Sequence, residues 1–100
     1  MTRLFVDIPG LPDYVELCGE VEFVPCKGDR IQIYADRLAC GYSRKLLEAT
    51  PAYYCFERNE VTEKQNLAVF LKDCIITVSA RNWSYEGDNT CCILDVEVEW

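Results

Sequence analysis

Seven cysteines, at positions 18, 26, 40, 55, 74, 91 and 92, are the residues of this chain whose type most readily suggests chemistry. As metal ligands they are poorly spaced, because no Cys-x-x-Cys occurs and there is no histidine to complete a structural zinc site. Their number is odd, so they cannot all pair. The vicinal Cys91 and Cys92 lie in an alternating stretch and should point to opposite faces of a strand, which makes them poor joint ligands. What remains is a set of small hydrophobes in a reducing compartment, with a redox or regulatory thiol as the functional alternative.

The lack of histidine cuts further, since Ser-His-Asp and Cys-His catalysis both need an imidazole to move the proton. No phosphate-loop or dinucleotide fingerprint is present, and the five glycines are too dispersed to cradle a pyrophosphate. Carboxylates are numerous enough to supply an acid–base pair of the glycosidase kind. However, 17 acids in 100 residues give near pairs by composition alone, and so small a domain leaves little room for a cleft. Calcium would need a D-x-D-x-D-G loop, and Glu86-Gly87-Asp88-Asn89 is too short for six oxygen ligands. The expectation is a protein that is not an enzyme and holds no metal or cofactor.

The elements that would position these side chains follow from periodicity. In CCILDVEVEW (91–100), Cys92, Leu94, Val96, Val98 and Trp100 form one face and Asp95, Glu97 and Glu99 the other, as in a half-buried strand. From Tyr14 to Val24 the same alternation sets Val15, Leu17, Val21 and Phe23 against Glu16, Glu20 and Glu22. LFVDI (4–8), RIQIY (30–34) and CIITVSARNW (74–83) read as further strands, the last joined to the closing strand by a hairpin turn at 86–89. The stretch 35–50 has apolar residues at helical spacing, ended by Thr50-Pro51 and weakened by Gly41. Thr62-x-x-Gln65 looks like a capping box opening a short helix over 62–72, with a strand through AVFL as the alternative. The expected fold is a single α+β domain over 1–100. It is mainly antiparallel: a small curled sheet or SH3-like barrel of about five strands, with one or two short helices in an insertion.

The run FVPCKGDRIQIY (23–34) and the terminal VEVEW resemble small SH3-like barrel proteins, in which a P-x-x-G-D-x-I turn leads into the second strand and a hairpin finishes the barrel. Many of those proteins are uncharacterised reading frames of phages and other mobile elements. The insertion between Ala35 and about Phe70 departs from a minimal barrel. The resemblance implies a fold, and for function only the setting of a small phage-type inhibitor or regulator.

Charge carries more. Residues 1–25 hold five acids and one base, 26–81 seven acids and nine bases, and 82–100 five acids and no base, giving segment charges of −4, +2 and −5 within a net −7. A chain so acidic repels phosphate backbones, so direct nucleic-acid binding is not expected. No run approaches the roughly 20 apolar residues that span a bilayer, and the N-terminal residues lack a signal peptide's apolar stretch, so a soluble, cytoplasmic protein is expected. Glu16, Glu20, Glu22, Asp95, Glu97 and Glu99 are the candidate partner-binding residues, forming one acidic face that docks on a basic protein, in its sharpest form by mimicking nucleic acid. Arg30 and Arg81 would sit between the two acidic strands to relieve their repulsion. Arg37, Arg44 and Lys45 with Tyr53 and Tyr54 form an alternative surface, suited to a nucleotide-sequestering protein. A structural subunit and a homo-oligomer fit the same composition. The cysteine pattern yields a first prediction: the purified chain carries no stoichiometric zinc and keeps its fold under mild reductant. Metal analysis and circular dichroism with and without reductant check it.

Overall fold

The computed structural model describes residues 2–100, and its centre is a long hairpin. Strand β4 (Ile75–Glu86) and strand β5 (Asn89–Glu99) pair antiparallel from Glu86–Asn89 at the turn to Ile75–Glu99 at the far end. Gly87 takes φ +66° and Asp88 does not turn positive, which is the pattern of a type II′ turn with glycine first. On the other side of β5 lies β1 (Thr2–Asp7), in parallel register, with Leu4 beside Cys92 and Val6 beside Leu94. Strand β2 (Val15–Cys18) extends the sheet antiparallel to β1, and β3 (Arg30–Ile31) closes the opposite edge against β4. The order β2-β1-β5-β4-β3 curls into a half-barrel. Three of its four pairings are antiparallel, in line with the sequence.

One face of this sheet is covered. Leu4, Val6, Ile8, Val15, Ile76, Val78, Cys92 and Leu94 pack against Ile33, Ala35, Leu38, Leu47, Leu67, Phe70 and Leu71 from the helices and extended segments between β3 and β4. The helices are α1 (Gly41–Ala49), α2 (Glu60–Lys64) and α3 (Leu67–Lys72), with 3₁₀ turns at Ala35–Arg37 and Ala52–Tyr54. Leu94 is fully buried as expected, whereas Val96 and Val98 are half-buried at the edge of the core. Trp100 closes that edge with its ring edge-on to Phe70 at 5.2 Å and Phe56 at 6.5 Å. Gly10, in the turn after β1, holds φ +96° with its Cβ position 3.0 Å from the Tyr54 carbonyl oxygen. Only glycine lets the turn after β1 approach so closely.

Four expectations need correction. The strand from 14 to 24 ends at Cys18: its ladder with β1 stops at the Leu4–Cys18 pair, the chain bends at Gly19–Glu20, and a single further bond follows, from the Val21 N–H to the Thr2 carbonyl at 2.9 Å. The strand 30–34 is a ladder only at Arg30–Ile31, because β4 starts at Ile75, opposite Gln32. The helix over 35–50 divides into a 3₁₀ turn and α1, with Leu38 extended between them. The helix over 62–72 divides likewise. The Ala52 N–H bonds the Gln65 carbonyl at 3.0 Å and the Leu67 N–H bonds the Thr50 carbonyl at 2.8 Å, so residues 65–66 must be extended. The capping box is Asn59-x-x-Thr62: Asn59 Oδ1 accepts from Val61 and Thr62 N–H, and Thr62 Oγ1 accepts from Asn59 N–H. Asn66 caps α3 in turn, so three short α-helices stand where one or two were expected.

The strand parity gives a direct check. Leu94→Ala should cost about 2–5 kcal/mol, as for other fully buried leucines, while Glu97→Lys on the opposite face stays within about 0.5 kcal/mol. Denaturant unfolding of both variants measures the contrast.

Candidate functional site

The uncovered face of the sheet is where the acidic residues collect. Along β5 the side chains opposite to Cys92 and Leu94 are those of Asp95, Glu97 and Glu99, and no helix packs over them. Successive ones lie about 6.7 Å apart, two residues of strand rise. Ladder partners share their face, so Glu99 stands beside Ile75, Glu97 beside Thr77, and Asp95 beside Asp7 of β1. The Asp7–Asp95 juxtaposition is the notable one: two carboxylates directly opposite on neighbouring strands repel. Among the described residues, no ion pair involves Asp7, Asp95, Glu97 or Glu99. Glu99 also lines an open cleft of about 640 Å³ with Glu57, Asn59, Val98 and Trp100.

The other three candidates are placed differently. Glu16 shares the uncovered face but is neutralised, its Oε2 accepting from Arg3 Nη2 at 2.8 Å, and that bond is what raises the Arg3 pKa. The Arg3 guanidinium also lies over the Phe5 ring, 5.0 Å from its centroid. Glu20 and Glu22 are exposed on the irregular segment beyond β2, at the Thr2 end of β1, whereas Asp95 to Glu99 extend past its Asp7 end. Asp95, Glu97 and Glu99 therefore form one group with Asp7, and Glu16, Glu20 and Glu22 do not join it.

Neither arginine intervenes as expected. Arg30 pairs with Thr77 on the outer strand of this face. Arg81 lies on the covered side, because an extra residue at the Val78/Ala80 register shift turns the later residues over. Beyond that bulge Arg81, Trp83 and Tyr85 stand opposite Leu94, Cys92 and Thr90, with the Arg81 guanidinium 5.9 Å from the Trp83 ring. The alternative basic and aromatic surface is spread over three elements. Arg37 lies in the first 3₁₀ turn over Tyr34 at 4.9 Å, Arg44 and Lys45 on α1, and Tyr53 and Tyr54 in the second 3₁₀ turn. The guanidinium over Tyr53 is that of Arg58, at 4.5 Å.

Comparison with family models, with curated proteins and with solved structures finds no match. Among the described residues, no helix is long and apolar enough to cross a membrane, and no three acids or cysteines cluster as cation ligands.

Sequence reading missed Asp7, although Leu4, Val6 and Ile8 already placed it on the outward parity. What could not be seen was its neighbour, since a parallel pairing across most of the chain leaves no local trace. If the two aspartates repel as their register requires, Asp95→Asn should stabilise the fold by roughly 0.2–1 kcal/mol at low ionic strength. The gain should shrink as salt rises, and Glu99→Gln, facing Ile75, should show less of it. Thermal melts across a salt series measure both.

Proposed function

We propose that this chain is a non-enzymatic interaction protein, an inhibitor or regulator that docks the uncovered face of β5 on the basic, nucleic-acid-binding surface of a protein partner. The observation that carries this reading is the Asp7–Asp95 pair within a stripe continued by Glu97 and Glu99, none of which forms an ion pair among the described residues. A wet sheet face accounts for Glu97 and Glu99 alone, because exposed acids also discourage edge-to-edge association. It does not account for two aspartates set directly opposite each other. A cationic surface docking there converts that repulsion into attraction, and the chain's net charge of −7 steers such a partner toward it.

Spacing supports nucleic-acid mimicry as the form of the contact. Carboxylates repeating about every 6.7 Å along one strand present a regular line of negative charge, as a nucleic-acid backbone does. Asp95 is held between β1 and β4, and Glu97 and Glu99 by their pairing with Thr77 and Ile75 of β4, so the stripe is ordered before binding.

The test is a triple variant, Asp95→Lys, Glu97→Lys and Glu99→Lys, whose circular dichroism and melting temperature are matched to the parent. The parent should compete with duplex DNA for one or more members of a panel of basic DNA- and RNA-binding proteins, and lose affinity as salt rises. The variant should bind the same protein about tenfold or more weakly. Equal binding by parent and variant would mean that the face is only solvated.

A further inference from the structure

Three of the seven thiols are shielded: burial pushes Cys55, Cys74 and Cys92 up. Cys40 is the opposite case. It is the N-cap residue of α1, a helix of nine residues, where the aligned peptide dipoles favour an anion. Its thiol is held below its ordinary value, chiefly by the Ser43 hydroxyl and then by the backbone N–H groups of Ser43 and Tyr42 at the start of the helix, against desolvation and the charge of Glu16.

Ser43 is fixed by the fold rather than free to turn away. Its side chain is buried, with 1% of the residue exposed, and its oxygen accepts the Glu16 backbone N–H at 2.8 Å. That bond ties the N-terminus of α1 to β2, and so brings a second sulfur to the same place. Glu16, Leu17, Cys18, Gly19, Ala39 and Cys40 line one open cleft of about 280 Å³ between β2 and the start of the helix. Both cysteines are free and half-buried. Cys18 is the last residue of β2, paired with Leu4; the chain bends at Gly19 directly after it, and its thiol donates to the Glu20 carbonyl at 3.0 Å, so the ladder stops at this residue.

We propose that Cys40 is the reactive thiol of this protein and Cys18 its resolving partner, so that a hydroperoxide entering the cleft drives formation of a Cys18–Cys40 disulfide. The cleft admits such a reagent easily, since a water molecule occupies only about 30 Å³. In the first step the Cys40 thiolate attacks one peroxide oxygen. The O–O bond breaks, an S–O bond forms, and the second oxygen leaves as hydroxide, which takes a proton from solvent; sulfur is oxidised and the peroxide reduced. In the second step the Cys18 sulfur attacks the sulfenic sulfur, the S–S bond forms, and the hydroxyl departs as water with the Cys18 proton. No metal, cofactor or histidine is needed. The proposal does not rest on the acidic face, which lies on other residues of the sheet.

The exposed Cys26 serves as an internal reference, because it would react first if access alone decided. The reduced full-length chain is treated with hydrogen peroxide, quenched with an alkylating agent, and mapped by peptide mass spectrometry. The expected result is a Cys18–Cys40 linked peptide that appears before any oxidation of Cys26, is reversed by reductant, and is absent from Cys40→Ser. In Cys18→Ser the second step is blocked, so Cys40 should be trapped as a dimedone adduct. Oxidation of Cys26 ahead of Cys40, or an undiminished peroxide reaction in Cys40→Ser, would overturn the assignment of Cys40. A parent chain that gives Cys40 sulfenic acid but no linked peptide would overturn the role of Cys18. Circular dichroism of both variants establishes that they are folded, and Cys40→Ala gives a second test if the serine variant is not.

Discussion

Everything in this molecule is arranged around one strand that is hydrogen-bonded along both edges. β5 pairs with β4 along its length through a tight hairpin and with β1 in parallel from Thr90 to Asp95, so over that stretch it is bonded on each side and its register is fixed twice. A slip of one residue would turn Cys92 and Leu94 outward and bury three carboxylates, at a cost no domain of this size could absorb. The alternation of apolar and acidic residues in CCILDVEVEW is therefore more than a surface pattern. It selects one register of the central strand, and the rest of the sheet inherits its facing from that choice.

How legible each part was follows from the range of the interaction that decides it. The hairpin could be read because both strands alternate and the turn residues lie between them, all within one local stretch. β2 and β3 were read too long, since side-chain alternation does not mark where a ladder stops: the bend at Gly19–Glu20 takes the chain out of its ladder while Arg3 of β1 is still extended beside it, and β3 pairs with β4 only at Arg30 and Ile31. The helix over 62–72 was divided by two backbone hydrogen bonds to residues 50 and 52, which override a good helical period. Asn59 and Asn66 were available as cap residues in the sequence, but Thr62-x-x-Gln65 offered a competing pattern with equal local merit.

The same rule governs the candidate sites. Asp95, Glu97 and Glu99 were legible as a group because one strand carries them. Joining Glu20 and Glu22 to them failed because it assumed that two like patterns lie side by side, and Asp7 was the neighbour instead. The bulge between Val78 and Ala80 had a similar effect on Arg81, sending it to the covered side with Trp83. A single inserted residue reverses every later facing, and composition gives no sign of it. The cysteines show the limit most plainly: counting and spacing speak only to metal motifs, whereas the shared cleft of Cys18 and Cys40 depends on a helix docking against an edge strand.

Glu16 is where the two surfaces of this protein come closest. Its side chain reaches over the uncovered face to Arg3, while its backbone N–H is held by the Ser43 hydroxyl that also faces the Cys40 sulfur. β2 is an edge strand of four residues with a register irregularity against β1, so it is among the elements with the fewest bonds to keep it in place. A disulfide between Cys18 and Cys40 would fasten its end to α1 and shift the position from which Glu16 reaches Arg3. If that ion pair loosened, Arg3 and Glu16 would separate on the same face that carries Asp7 and Asp95, altering the charge a partner meets. β5, paired with β4 along its length and with β1 as far as Asp95, has no bond to β2 through which to be moved. The acidic stripe would keep its geometry while its border changed, which is the arrangement expected when a stable recognition surface is bounded by a deformable edge.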